Sequence, residues 1–411
     1  MKNQPSPPAV VIGLDNITGL QTARILAARG IPVIGVAQNP RHYCCRTRVC
    51  ERVIQADLGT SALIPALIEL ASELPDRAVL YPCTDASVLV LSEHRDKLFG
   101  GFHLVLPEHD AVQMLIDKVR FFRFAAEHDL AIPQTFLMFD RDDAERVARE
   151  MTFPCIVKPP MKSARWKRQT KTKAYKVDDA EEFLALYDRC RDWAEILMAQ
   201  QWIAGTDESL FSCNCYYSTE GKPLATFIAR KIRQWPPETG TSCLGEEVRN
   251  DEVLRETLRL FDQVGYRGLG YLEMKRDEKT GRHYIIEPNI GRPTGRSAIA
   301  EAGGVELLQT MYRDLTGRPL PEGREQTYGG VKWIYWRNDV LSAWHYWRRG
   351  QITLGEVWRS WRGRKACAVF AWRDPLPFLA DLARSFRLLA DAVRRRVGRP
   401  RKAPAPPRAG G

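Results

Sequence analysis

This sequence predicts an α/β chain: a helix-wrapped parallel sheet first, an α+β body second, and a tryptophan- and arginine-rich end. Three observations carry the reading. Over the first hundred residues short apolar runs alternate with amphipathic stretches, the pattern of parallel strands joined by helices. From about residue 108 the strands instead follow one another across turn signals. After residue 330 stand seven of the eleven tryptophans (Trp333, Trp336, Trp344, Trp347, Trp358, Trp361 and Trp372), interleaved with arginines. A length of 411 residues suits two or three domains.

Taken in order, the apolar run 9–14 reads as the first strand, with a turn at Asp15 and Asn16 and an amphipathic helix over 19–29. Residues 31–37 and 78–81 read as further strands, the latter followed by Thr84, Asp85 and a helix to Leu98. Open α/β sheets place ligands at such strand ends, so Thr84 and Asp85 read equally as a substrate contact and as a helix cap. Gly13 and Gly19 lack the G-x-G-x-x-G spacing, so a Rossmann-like sheet without a dinucleotide is expected. One helix over 110–128 carries Asp117 and Lys118. A strand ending at Lys158 leads into a basic loop, 159–173, that contains no glycine. A helix near 180–191 and strands at 195–203, 210–217 and 224–232 follow, then a helix at 251–264. Strands at 268–275 and 282–287 flank the turn-prone D-E-K-T-G of 277–281, which makes a hairpin. An amphipathic helix runs from Phe378 to about Val397, and the Pro/Ala/Gly/Arg tail 398–411 is expected to be disordered.

Composition narrows the function. Hydrophobic residues are 44% and charged residues 27%, ordinary for a soluble globular chain. No run approaches the roughly 18 apolar residues of a membrane span. The opening MKNQPSPPAVVIGL shows no apolar stretch behind a basic one, so no secretory leader is expected. Ten cysteines without a C-x-x-C pair read as reduced thiols in a cytoplasm, Cys44, Cys45 and Cys50 included. The seven histidines form no H-x-x-x-H pair, which argues against zinc. The net charge of +11 is local: residues 331–411 hold 18 Lys and Arg against 5 Asp and Glu, while the first 330 hold 43 against 45. A near-neutral body is not built to bind polyanions, so no nucleic-acid partner is expected.

The chemistry centres on the hairpin. Glu273 lies on one strand, and 14 residues later Glu287 returns opposite it, with Asn289 on the same face two residues on. Two carboxylates and an amide oxygen are hard donors suited to Mg²⁺, with nucleotide phosphates filling the other positions; the spacing alone reads equally as a solvated hairpin with scattered acids, and the lysines tip the balance. Lys158 ends an apolar run, where its stem can pack while its ammonium reaches a phosphate. Lys118 lies beside the domain junction. The stretch AQQWIAGTDE (199–208) reads as a strand end entering a glycine turn; its backbone can meet an adenine edge and one of its acids a ribose.

In order, Lys118, FPCIVKPP (153–160), AQQWIAGTDE, ARKIRQWPPETGT (229–241), GYLEMKRD (270–277) and IIEPNIGRP (285–293) resemble the ATP-grasp carboxylate–amine ligases. Within that superfamily the chain is most similar to the D-aspartate ligase-like and polysaccharide-cluster ligases, over about residues 9–320. The resemblance implies a Rossmann-like pre-ATP-grasp domain at 1–107, an ATP-grasp domain at 108–320, a Trp-rich extension with a basic helix at 321–397, and the tail. It implies ATP with Mg²⁺ or Mn²⁺ as cofactors, and a small carboxylate and an amine, of amino-acid or cell-envelope-precursor type, as substrates; it is compatible with a homodimer.

Carried over residue by residue, the resemblance gives Lys118 and Lys158 to the phosphates. Gln201 and Ile203 meet the adenine through backbone groups, between Ile156 and Ile286. Glu208, ahead of Asp207, takes the ribose, and Glu273, Glu287 and Asn289 hold the metal. Arg230, Lys231, Arg233 and Arg292 surround the γ-phosphate and acyl group. The implied reaction forms an acyl phosphate with release of ADP, and an amine then displaces phosphate. Segment 159–173 is the expected cover that keeps the acyl phosphate from water. The departures are its lack of glycine, which leaves Ser163, Lys167, Arg168 and Lys173 as open choices for phosphate contact; Arg292 one place later than in E-x-N-P-R; and Tyr271 where some ligases carry arginine.

The alternative is a scaffold of this fold without turnover, acting as a membrane or polyanion adaptor through its basic end. Retention of both lysines and all three metal-ligand candidates favours the ligase. In the last helix Phe378, Leu379, Leu382, Phe386, Leu389, Val393 and Val397 recur at helical spacing beside Arg384, Arg387 and Arg394–Arg396. Packing of that stripe on the body is the first expectation. A weak, salt-sensitive association of residues 378–402 with anionic membranes is the second.

Overall fold

Apolar runs buried on both faces build the first sheet. Strands β1 (Ala9–Ile12), β2 (Val33–Ala37), β3 (Arg52–Gln55), β4 (Ala78–Pro82) and β5 (Phe102–His103) pair in parallel in the order β3-β2-β1-β4-β5. In the computed structural model, which describes residues 6–397 except 162, 173 and 239, β1, β2 and β4 are buried throughout. That is why they read as continuous runs and not as alternation. Helix Ile17–Ala28 begins at Asn16, whose side chain accepts from the Gly19 amide at 3.0 Å. A Cβ on Gly19 would lie 2.1 Å from the Gly13 carbonyl oxygen, so close packing of the helix on the strand turn requires this glycine. Side chains at 388, 389 and 391–397, and the tail 398–411, lie outside the described residues.

The single helix expected over 110–128 is two, His109–Ile116 and Lys118–Glu127. Asp117 is extended between them, and its carboxylate accepts from the amides of Val119 and Arg120 at 2.8 and 3.0 Å. Lys118 is thereby fixed in the first turn of the second helix.

Strands β6 (Thr135–Met138), β7 (Cys155–Lys158), β8 (Tyr175–Val177) and β9 (Leu197–Gln201) form an antiparallel sheet in the order β6-β9-β7-β8, with a core of its own around Trp166, Phe183 and Leu186. The basic segment 159–173 is not all loop. Ser163 caps a short helix, Ala164–Gln169. Its Trp166 is buried edge-on against Tyr175 and Trp193 and donates its indole N–H to the Thr172 carbonyl at 3.1 Å.

The third sheet has seven strands: β10 (Leu210–Tyr217), β11 (Pro223–Trp235), β12 (Thr241–Glu247), β13 (Gly268–Arg276), β14 (His283–Ile290), β15 (Lys332–Ile334) and β16 (Lys365–Cys367), in the order β14-β13-β10-β11-β12-β15-β16. The tryptophan-rich end is therefore no appendage, since β15 pairs with β12 and β16 with β15. It also returns to the first sheet, where Arg24 meets the Asp374 carboxylate at 2.9 Å and the Val369 carbonyl at 2.7 Å. The first and third sheets share two apolar cores.

In the last helix, Leu376–Val397, the expected stripe divides: Phe378 packs against the second apolar core and the Phe370 ring, and the side chains of Leu389, Val393 and Val397 lie outside the described residues. Asp381 is buried, while Leu379, Leu382 and Phe386 face solvent. No described helix is long and apolar enough to cross a membrane.

Candidate functional site

A cavity of about 750 Å³ lies between the four-stranded and seven-stranded sheets. The smaller sheet contributes Ile156 and Lys158 from β7, Gln200 and Gln201 from β9, and Ile203 just beyond. The larger contributes Lys231, Tyr271, Glu273, Ile286, Glu287 and Asn289; Lys118, Arg292 and Arg296 complete it.

Strand pairing places the carboxylates. Glu273 is directly opposite Glu287, and Tyr271 opposite Asn289, so these four side chains share a face of the hairpin. Lys231 Nζ lies 3.5 Å from Glu273, and Arg296 lies 3.7 Å from its other oxygen while donating to Ser212 Oγ at 3.0 Å. Burial alone would push the Glu273 carboxyl up, but Lys231 and Arg296, with Arg292 beyond, outweigh it and hold the carboxyl below its ordinary value. Glu287 is more exposed and faces Lys118 Nζ at 3.9 Å.

Lys158 donates to Gln200 Oε1 at 3.0 Å. Burial, with Lys118 adding repulsion against the pull of Glu287, pushes its ammonium down to about 8. The Arg292 guanidinium donates to Asp85, to the Tyr271 hydroxyl at 3.0 Å and to Asn289 Oδ1 at 2.7 Å. It ties the end of β4 to the hairpin. Thr84 is the helix cap, in a capping box with Ser87, and its neighbour Asp85 anchors Arg292.

Of the residues singled out in the sequence, Lys118, Lys158, Gln201, Ile203, Ile156, Ile286, Lys231, Arg292, Glu273, Glu287 and Asn289 line this one cavity. Arg233, Arg230 and Glu208 do not. Arg233 is buried elsewhere and donates twice to Asp339 at 2.8 Å, so it cannot surround a phosphate. A bulge in β11 between Lys231 and Arg233 breaks the alternation that would have kept the two on one face. Arg230 pairs with Glu246. Glu208 is exposed, 3.7 Å from Arg230, whereas Asp207 is buried and held by Gln234 and Tyr346. Arg296, Trp333 and Tyr335 line the cavity and were not singled out. Arg296 is the second arginine of G-R-P-T-G-R, and the spacing drew attention to the first.

No family model matches the chain. A D-aspartate ligase of Enterococcus faecium (strain Aus0004) is 21% identical over 272 residues, 64% of this chain and 63% of that ligase. A D-alanine–D-alanine ligase of Acinetobacter baumannii (strain AYE) is 25% identical over 205 residues, 46% of this chain and 61% of that ligase. The chain thus spans about three fifths of the length of these curated relatives. The N5-carboxyaminoimidazole synthetase of Staphylococcus aureus complexed with ADP superposes with a TM-score of 0.61 at 14% identity, over 79% of this chain and 81% of that one. The phosphoribosylglycinamide synthetase of Anaerococcus prevotii gives 0.58 at 15% identity, over 76% of each. The chain has the ATP-grasp fold. The parallel sheet that opens this fold, and the largely antiparallel α+β body that follows, agree with the α/β architecture expected from the sequence.

Proposed function

We propose that the chain is an ATP-dependent ligase that joins a small carboxylate to an amine through an acyl phosphate, releasing ADP and phosphate. One observation carries this reading: Lys118 and Lys158 share a single cavity with the Glu273, Glu287 and Asn289 face. In the proposed complex the adenine lies between Ile156 and Ile286 against the backbone of Gln201 and Ile203. The triphosphate then runs toward Lys158 and Lys118.

The donor set fits a divalent cation. Among the described residues no three His, Cys, Asp or Glu side chains come together, so the protein offers two carboxylates and one amide oxygen. A hard cation such as Mg²⁺ or Mn²⁺ would complete such a set with phosphate oxygens. When bound, it supplies charge neutralisation on the phosphoryl group. The chain's own residues do the rest. Lys158 and Lys118 offset phosphate charge, Lys231 and Arg296 keep Glu273 ionised, and Asp85 and Tyr271 hold Arg292 toward the acyl group. A substrate carboxylate oxygen attacks the γ-phosphorus and ADP leaves; the amine nitrogen then attacks the acyl carbon and phosphate leaves.

The rest of the cavity is lined by Ile17, Thr18, Ser242, Trp333 and Tyr335, and suits the two substrates. The Trp333 indole N–H is buried without a partner among the described residues, which makes it a donor for a substrate oxygen. The names of the D-aspartate ligase and D-alanine–D-alanine ligase relatives support substrates of amino-acid type. A scaffold emptied of its site is not supported, because lysines and carboxylates still share the cavity. ADP release across a panel of carboxylates and amines tests the reading. The proposal expects one pair to stimulate release in wild type and not in Lys158→Ala; AMP and pyrophosphate as products would overturn it.

A further inference from the structure

Two helices of the tryptophan-rich end bury an acid and turn apolar side chains to solvent. Helix Trp336–Arg348 buries Asp339, Ser342 and Ala343, and turns Val340, Leu341, Trp344 and Trp347 to solvent. Among its described side chains, helix Leu376–Val397 packs Phe378 on the body and buries Asp381, yet exposes Leu379, Leu382 and Phe386. The usual amphipathic helix hides its apolar stripe. Between them, helix Leu354–Ser360 exposes Leu354 and Trp358, and Trp372 is 87% exposed.

The charge on this surface is one-sided because its acids are engaged elsewhere. Of the four acidic residues in 331–390, Asp339 pairs with Arg233, Asp374 with Arg24 and Asp381 with Arg337, all three acids being buried. The fourth, Glu356, closes the capping box at Thr353. Arg348, Arg349, Arg359, Arg362, Arg373 and Arg387 are exposed among the tryptophans. Arg348 lies over the Trp344 ring at 5.4 Å and Arg362 over Trp358 at 5.5 Å.

We propose that this face docks on an anionic lipid bilayer. Tryptophan rings settle at the headgroup level, aliphatic side chains reach the acyl boundary, and arginines meet lipid phosphates. A second copy of the chain is a poor occupant, since self-pairing would set arginine against arginine. Nucleic acid would answer the arginines and stack on the tryptophans, but it offers no acyl layer to Val340, Leu341, Leu354, Leu379 and Leu382. The surface lies next to the cavity in the chain: Tyr335 lines the cavity and Trp336 begins the exposed helix. The proposal does not depend on the ligase reading, because its test measures binding alone.

The test is sedimentation of the full chain with vesicles of phosphatidylcholine, with and without phosphatidylglycerol, at low and high salt. The expected result is pelleting with the anionic vesicles only, weakened by salt. The pairs Trp344→Ala/Trp358→Ala and Arg348→Gln/Arg362→Gln should each lower the partition coefficient about tenfold, with circular dichroism and thermal melting unchanged at these exposed positions. Pelleting that is absent, equal on neutral vesicles, or unaltered in both pairs overturns the proposal. So does preferential binding of single-stranded RNA over the vesicles, or a solution dimer that the aromatic pair dissociates.

Discussion

ATP binding should draw a proton onto Lys158. Its ammonium is pushed from an ordinary 10.5 down to about 8 by burial and by Lys118. A depressed lysine binds fewer protons folded than unfolded, so stability rises with pH from about 8 to 10.5 and below 8 carries a fixed cost. A triphosphate beside the ammonium favours the charged form and returns its pKa toward 10.5. At pH 8 the free protein holds about half a proton on this nitrogen, so binding should take up about 0.5 proton; at pH 9 the uptake should approach about 0.9. ATP is already fully ionised there, so the nucleotide contributes little. Affinity should fall as pH rises through this window, nearing tenfold per unit. Calorimetry in two buffers of different ionisation enthalpy measures the uptake. Lys158→Arg, charged throughout, should abolish the linkage while keeping most of the affinity. No uptake between pH 8 and 9, or equal uptake in that variant, would refute the reasoning.

Glu287→Gln should abolish Mg²⁺-dependent turnover, a loss of several kcal/mol of transition-state stabilisation, with an unchanged melting temperature because this side chain is exposed; full activity in the variant would remove it from the metal site. Asp339→Ala should cost about 3–5 kcal/mol in urea unfolding, because it strands the buried Arg233. The double variant Arg233→Met/Asp339→Leu should recover most of that, and should leave ADP release intact if Arg233 is structural.

Local rules made much of the site legible. Turn residues and a 14-residue separation placed Glu273 opposite Glu287, and the pairing is that one. Apolar runs ending in Lys158 and Gln201 placed both on strand ends that reach the cavity. What stayed hidden depends on long-range contacts or on single-residue irregularities. The bulge after Lys231 sends Arg233 to Asp339, 106 residues away, and no spacing rule foretells it. Strand β12, SCLGEE after Thr241, lacks an apolar signature, since its neighbours β11 and β15 hold it by backbone pairing. The helix Ala164–Gln169 carries one apolar anchor, Trp166, too few to show a period. The last helix shows a clear stripe, but periodicity cannot tell which face a body will cover: Asp381 and Phe378 pack, while Leu379, Leu382 and Phe386 of the same stripe face solvent.

The acyl phosphate is the central claim, and hydroxylamine trapping tests it most directly. With ATP, Mg²⁺, a panel of small carboxylates and hydroxylamine in place of the amine, the account predicts a hydroxamate formed one for one with ADP from a matching carboxylate, and none in Lys158→Ala. Hydroxamate accompanied by AMP and pyrophosphate, or amine-dependent ADP release from a carboxylate that never yields hydroxamate, would contradict it.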